Sequence, residues 1–234
     1  MELWYSIGKL ISQAYRRVFI PKLHIIGKEK LFEGPKIIVA NHSFASDVFI
    51  IPAIIKDRLH FMIEEELLTL PIFGRILEWA DQIPVVTGKG RQALEMAYDR
   101  LSQGHSIVIF PEGRLSHGKD VQRARGGAVL LAMDSGYPLL PLGIYTPPKF
   151  IRMIKSRNFD RESLGGWQLG GASFVAIGDA WNISQEFITE NSLNGYRLLR
   201  KASDELRDRI DSLVMNATVL AEKFGYPPSL PSGS

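Results

Sequence analysis

Apolar and β-branched residues gather in short runs at Lys36–Ala40, Leu59–Ile63, Ile83–Val86, Ser106–Phe110, Leu139–Ile144 and Ser173–Ile177. Runs of this length, bounded by turn residues, predict buried strands. Between several of them the apolar spacing lengthens to threes and fours, which predicts helices over Val48–Ile55, Arg91–Leu101 and Gly127–Ser135. In the second of these, Ala93, Leu94, Ala97 and Leu101 share one side. Strand alternating with helix predicts an α/β fold, with a mostly parallel central sheet flanked by helices.

Three stretches fall outside the alternation. At the start, Trp4, Ile7, Leu10, Ile11, Tyr15 and Val18 recur at helical spacing, and Lys9, Ser12, Gln13, Arg16 and Arg17 take much of the remaining surface. This predicts an N-terminal amphipathic helical segment over residues 1–25. Such a face suits a membrane interface, with rings at headgroup depth and cations near anionic lipid. It suits equally a helix laid on the protein's own core. Toward the other end, Leu199, Ala202, Leu206, Ile210, Leu213, Ala217, Leu220 and Phe224 predict one long packing helix from about Asn194 to Phe224. Between the last two predicted strands, residues 145–172 carry two prolines and two Gly-Gly pairs and are expected to be irregular, near the working face. There Phe150, Ile151, Met153 and Ile154 mix with Lys149, Arg152, Lys155 and Arg157, a blend that also suits contact with a membrane.

Composition narrows the picture. The 234 residues, 45% of them hydrophobic, are expected to form one main domain over residues 26–226, with a flexible Pro/Ser/Gly tail at 227–234. With no cysteine, disulfides, thiolate nucleophiles and Cys-ligated zinc are excluded, and a reducing, cytoplasmic-side setting fits. The net charge of +3 is too mild to demand nucleic acid but suits anionic phosphates or an anionic membrane face. No window approaches the roughly 20 apolar residues of a membrane span, and the start lacks the pattern of a secretory signal. His24, His60, His105 and His117 show no ligand spacing, so no metal is expected.

Candidate chemistry begins in "IIVANHSFASDVFI", residues 37–50. A strand ending at Ala40 delivers His42 to its carboxyl edge, and Asp47 falls about one turn into the segment that follows. A carboxylate there can hold one imidazole nitrogen and leave the other to take a proton from a hydroxyl. The same spacing also suits a histidine beside a helix start and an aspartate in its first turn. The pattern repeats in "SIVIFPEGRLSHG", where a strand ends at Phe110 and Pro111, Glu112, Gly113 and Arg114 follow. In a parallel α/β sheet ligands bind outside the carboxyl ends of strands, so the two stretches can converge on one crevice. Gly113 allows close backbone approach, and Arg114 offers a planar fork suited to phosphate.

"NHSFASD", "FPEGRLS" and "PLLPLGI", with "ELLTLPIFGRILEWADQIPVV" between the first two, resemble in order and spacing the blocks of the glycerolipid acyltransferase family, over about residues 25–180. That family includes bacterial 1-acylglycerol-3-phosphate acyltransferases. The resemblance implies His42 as base, Asp47 as its partner, and Glu112, Gly113 and Arg114 as the acceptor-binding block. Two departures stand out. Family members often place a small residue between Glu-Gly and arginine, whereas Arg114 follows directly. They commonly place an arginine close behind the "Ile-Pro-Val" strand, a role that here falls to Lys89 or Arg91. Lysine is a point charge and arginine a fork, so the exchange is not neutral for a phosphate.

The resemblance further implies a membrane-associated O-acyltransferase that needs no cofactor of its own. Its donor would be acyl-CoA or acyl carrier protein, and its acceptor a lysophospholipid, foremost 1-acylglycerol 3-phosphate. Another lipid or glycolipid acceptor, or a non-catalytic lipid-binding protein of the same fold, are the alternatives. With lipid substrates, the N-terminal segment reads as an interfacial anchor, peripheral or monotopic on the cytoplasmic side.

Overall fold

A computed structural model of the chain describes residues 2–70, 73–118, 120–158, 161–183 and 195–228. Helix α1 (Glu2–Phe19) leads into nine strands: β1 (Lys22–Ile26), β2 (Ile37–Ala40), β3 (Leu59–Glu64), β4 (Ile83–Val85), β5 (Ser106–Ile109), β6 (Leu139–Tyr145), β7 (Ile151–Asn158), β8 (Arg161–Gln168) and β9 (Ala172–Ile177). Interspersed are α2 (Ile51–Ile54), α3 (Phe73–Trp79), α4 (Gly90–Ser102), α5 (Gly127–Ser135) and the long α6 (Gly195–Lys223).

Seven strands form one sheet in the order β1-β9-β6-β2-β5-β3-β4. All neighbours are parallel except β6 and β9, so β1 and β9 run against the rest. The central strands are buried on both faces, which is why they read as unbroken apolar runs. Ile37, Val39, Ile107 and Ile109 pack on one face with Ala93, Ala97, Val129 and Leu206 of the helices. Ile38, Ala40, Val108 and Leu140 pack on the other, with Ile50, Ile51 and Ile20.

The six predicted sheet strands are all present, and so is the long C-terminal helix, within a residue or two. Three local expectations change. The first 25 residues are not one helical segment: α1 ends at Phe19, Pro21 follows, and Lys22–Ile26 joins the sheet edge beside β9. The segment predicted as a helix over Val48–Ile55 is a 3-10 turn at Ala45–Phe49 followed by the single turn of α2. The stretch expected to be irregular holds the antiparallel hairpin β7–β8. Its glycines read as breakers, yet they make room: a side chain on Gly166 would strike Phe44.

Helix α1 divides its apolar stripe between the body and the outside. Trp4 packs on Trp79 with its ring tilted by 38° and Tyr15 stacks on Phe49, so those two aromatics pack on the body. Leu3, Leu10 and Val18 instead face out, each more than 60% exposed. The expected tail at 227–234 lies outside the described residues from position 229 onward.

Candidate functional site

Both candidate strand ends lie on one edge of the sheet because β2 and β5 are parallel neighbours, with Val39 paired to Ile109. Three residues further on, His42 therefore stands level with Glu112. The two are tied directly: the His42 backbone N–H donates to Glu112 Oε1 at 2.8 Å. Oε2 of the same buried carboxylate accepts the Gln122 N–H at 2.9 Å. Burial raises the Glu112 pKa above the ordinary carboxylate range, while the two backbone N–H groups work the other way. The loops are strapped together again where Ser116 N–H donates to the His42 carbonyl at 2.9 Å and His117 N–H to the Ser43 carbonyl at 3.0 Å.

Asn41 fixes the point at which the chain leaves the sheet. Its side-chain amide donates to the Ile144 carbonyl at 2.9 Å and accepts the Ile144 N–H at 2.7 Å, extending the ladder to β6 by one side chain. The His42 ring then stacks on Phe110, with centroids 3.9 Å apart and planes 14° from parallel. Asp47 lies in the 3-10 turn that follows, where its Oδ2 accepts the Phe44 N–H at 2.8 Å. That oxygen is 3.5 Å from His42 Nδ1. Asp47 is almost wholly buried and the imidazole 18% exposed. His42 Nδ1 and Asp47 Oδ1 are buried and without a hydrogen-bond partner among the described residues. The carboxylate thus faces Nδ1, and the accessible part of the ring lies away from it, the arrangement a hydroxyl-activating base requires.

A second layer supports the turn. Tyr15 of α1 donates through its hydroxyl to the Gln168 carbonyl at 2.7 Å, and Gln168 N–H donates to Ser46 Oγ at 3.2 Å. Burial pushes the Tyr15 pKa up to about 12, so the hydroxyl stays a donor throughout the neutral range. Sequence reasoning missed Tyr15, Gln168 and the amide clamp of Asn41, because each partner lies about 100 or more positions away.

The remaining predicted residues divide. Gly113 has φ +63°, and the place of its missing side chain is filled by the Arg125 guanidinium, 2.7 Å from an ideal Cβ position. Arg114 lines a cleft of about 520 Å³ together with Glu112, Arg123, Arg125, Leu199 and Arg200. Lys89 and Arg91 stand past β4, separated from β5 by β3, on the same edge of the sheet. Both are exposed, and Arg91 pairs with Glu95 at 3.5 Å. No hydrogen bond or ion pair among the described residues joins them to His42 or Glu112.

Comparison with known proteins bears on the same residues. The family model described as Acyltransferase matches residues 22–145, more than half of the chain. A 1-acyl-sn-glycerol-3-phosphate acyltransferase of Pseudomonas aeruginosa is 29% identical over 126 residues, covering 52% of this chain and 48% of the relative. A lyso-ornithine lipid O-acyltransferase of the same organism is 27% identical over 112 residues, 47% of this chain and 43% of the relative. The chain thus spans about half the length of these relatives. In three dimensions it resembles the crystal structure of the 1-acyl-sn-glycerophosphate (LPA) acyltransferase PlsC from Thermotoga maritima, with a TM-score of 0.61 and 21% identity. That match covers 94% of this chain and 78% of the other.

Proposed function

We propose, from the premise that this chain belongs to the acyltransferase family, that it moves a fatty acyl group from an acyl thioester to the hydroxyl of a lysophospholipid at a membrane surface. The observation that carries the reading is the imidazole of His42, held at the carboxyl end of β2 with Asp47 facing Nδ1 and the rest of its edge toward the outside. With the proton kept on Nδ1 by the carboxylate, Nε2 accepts the proton of the acceptor hydroxyl as its oxygen attacks the thioester carbonyl. The tetrahedral intermediate collapses by breaking the C–S bond. The imidazolium returns the proton to the departing sulfur, leaving acylated lipid and free thiol. Asp47 steadies the imidazolium between those steps.

We take 1-acylglycerol 3-phosphate as the first acceptor, giving phosphatidic acid, with Arg114 and, across the sheet edge, Lys89 and Arg91 as its phosphate contacts. The separation of Lys89 and Arg91 from β5, with β3 between, supports a second reading, an acceptor without phosphate such as a lyso-ornithine lipid. Residues 26–226 act as the catalytic domain. Among the described residues no helix is long and apolar enough to cross a membrane, and we assign α1 to the interface on the cytoplasmic side.

Transfer of labelled acyl groups from acyl-CoA to a panel of lysolipids tests the reaction and ranks the acceptors. His42→Ala, checked for folding by circular dichroism, should lower the rate by about 10²- to 10⁴-fold, the usual worth of a general base. Equal activity in the folded variant would sink the mechanism.

A further inference from the structure

The block "PLLPLGI" has no part in the chemistry so far, yet its last residue, Ile144, is joined to the segment of the candidate base by one side chain. Strand β2 stops pairing at Ala40, opposite Leu142 of β6. β6 runs on to Tyr145, and its other edge stays paired with β9. Continuing the β2–β6 register by two positions would set His42 opposite Ile144. In such a parallel ladder Ile144 would take its two bonds from the backbones of Asn41 and Ser43, on either side of His42.

The side chain of Asn41 supplies both bonds instead. Its Oδ1 accepts the Ile144 N–H at 2.7 Å, and its Nδ2 donates to the Ile144 carbonyl at 2.9 Å. Nδ2 donates also to Ser43 Oγ at 3.2 Å, so the amide oxygen and both amide hydrogens are engaged. Asn41 and Ile144 are each 2% exposed, where backbone groups left without partners are costly. Satisfied by a side chain, Ile144 no longer requires the chain to run on beside β6. The backbone that follows turns to the loop after β5: His42 N–H to Glu112, and the His42 and Ser43 carbonyls to Ser116 and His117. The partner strand is held from behind as well. α6 lies directly on Gly143, where a Cβ would overlap the Leu213–Val214 backbone.

We propose that Asn41 is a positioning residue for the reaction: by taking over both bonds to Ile144 it releases His42 from the sheet at a fixed point, with Phe110 on the face of the imidazole and Asp47 at Nδ1. The assignment rests on the acyl-transfer reading above. It gives the end of the "PLLPLGI" block a part in catalysis through the base, without contact to substrate.

Asn41→Ala removes all three side-chain bonds. In transfer assays kcat should fall by about 10²-fold, the cost of an ångström-scale misplacement, with KM for the acyl thioester and for the lysolipid unchanged. Amide exchange at Ile144 should lose its protection, and carbethoxylation of His42, followed by peptide mass spectrometry, should quicken as the ring comes free. Asn41→Asp keeps the shape and the acceptor but sets an oxygen against the Ile144 carbonyl, and it carries the test if the alanine variant does not fold. Its kcat relative to the unaltered protein should rise as pH falls, because a protonated carboxyl restores the missing donor. A folded variant with unchanged kcat overturns the inference, as does a raised KM at unchanged kcat, which would make Asn41 a substrate contact, or an Ile144 amide still protected in Asn41→Ala. Exchange and carbethoxylation need no turnover. If both respond as expected but the unaltered protein transfers acyl groups to no lysolipid, the proposed function falls and the placement of His42 by Asn41 stands.

Discussion

Asp47 and His42 face each other across 3.5 Å, longer than a hydrogen bond, and the turn that sets the gap is braced from outside by Tyr15. Its ring stacks on Phe49, the last residue of the turn, and its hydroxyl holds β8, whose Gln168 N–H in turn reaches Ser46. Tyr15 is therefore a positioning residue: its hydrogen bond goes to Gln168 and its stacking to Phe49, and together they fix the element that carries Asp47. Tyr15→Phe keeps the stacking and leaves the Gln168 carbonyl without its donor, a loss of about 1–3 kcal/mol by denaturant unfolding. On the proposed mechanism kcat should fall by about tenfold with the lysolipid KM unchanged, because a loosened Asp47 affects only the charged intermediate state. A parallel rise in KM, or no kinetic change beside the lost stability, would leave Tyr15 a merely structural residue.

At the scale of elements, the opposite edge of the sheet carries a buried pH sensitivity. His60 of β3 is fully buried, with Nδ1 2.7 Å from the Asp81 carbonyl and Nε2 3.1 Å from His105 Nδ1. A carbonyl only accepts, so Nδ1 carries the proton and Nε2 must accept from His105. A second proton on His60 would set two N–H groups against each other and charge a buried ring. Burial accordingly lowers the His60 pKa from 6.5, against the nearby Asp81 and with the help of His105 and Arg100. The sign follows: below about pH 6.5 the unfolded chain binds more protons than the folded one, so stability falls as pH drops through that value and is level above it. Denaturant midpoints measured from pH 5 to 8 should show this slope, and His60→Gln should flatten it in part, since His24 leans the same way. An unchanged slope would remove His60 as its source.

Elements of this sheet were legible in the sequence where burial imposes a simple pattern. The central strands, covered on both faces, read as apolar runs, and their endings in Asn-His and Pro-Glu-Gly read as chemistry. The strand β1 was hidden because "KLHII" continues the apolar spacing of α1, and only the register with β9 separates them. The β7–β8 hairpin was hidden because its exposed side chains, Met153, Ile154, Leu164, Arg152 and Lys155, show no burial alternation. Within the site, His42, Asp47 and Glu112 were found by their places after strands. The seating of Arg125 on Gly113 and the arrival of Arg200 depend on loop closure and helix docking, which leave no local signature.

For the molecule as a whole, the C-terminal end of α1 meets the base of the hairpin. The Gly170 N–H that follows β8 donates to the Phe19 carbonyl at 2.9 Å, and Tyr15 approaches Trp167 edge-on at 6.3 Å. Leu3, Leu10, Ile11 and Val18 of the helix and Met153, Ile154 and Leu164 of the hairpin are all exposed, and so are Arg17, Arg152 and Lys155. This is the composition of an interfacial helix on anionic lipid, and here the same helix braces the turn of Asp47. Deleting residues 1–25 would be a poor test, because it removes most of β1 from the sheet and Tyr15 from the turn. Leu10→Gln with Val18→Gln changes only the outward face. Burying a whole aliphatic side chain is worth about 1.5–3 kcal/mol, so the pair should lower flotation with phosphatidylglycerol-containing vesicles by about 100-fold in partition, with little change in unfolding midpoint. High salt should weaken the binding of the unaltered protein further, through the basic residues at the rim. Vesicle binding that survives both substitutions would move the membrane contact away from α1 and leave the hairpin to account for it.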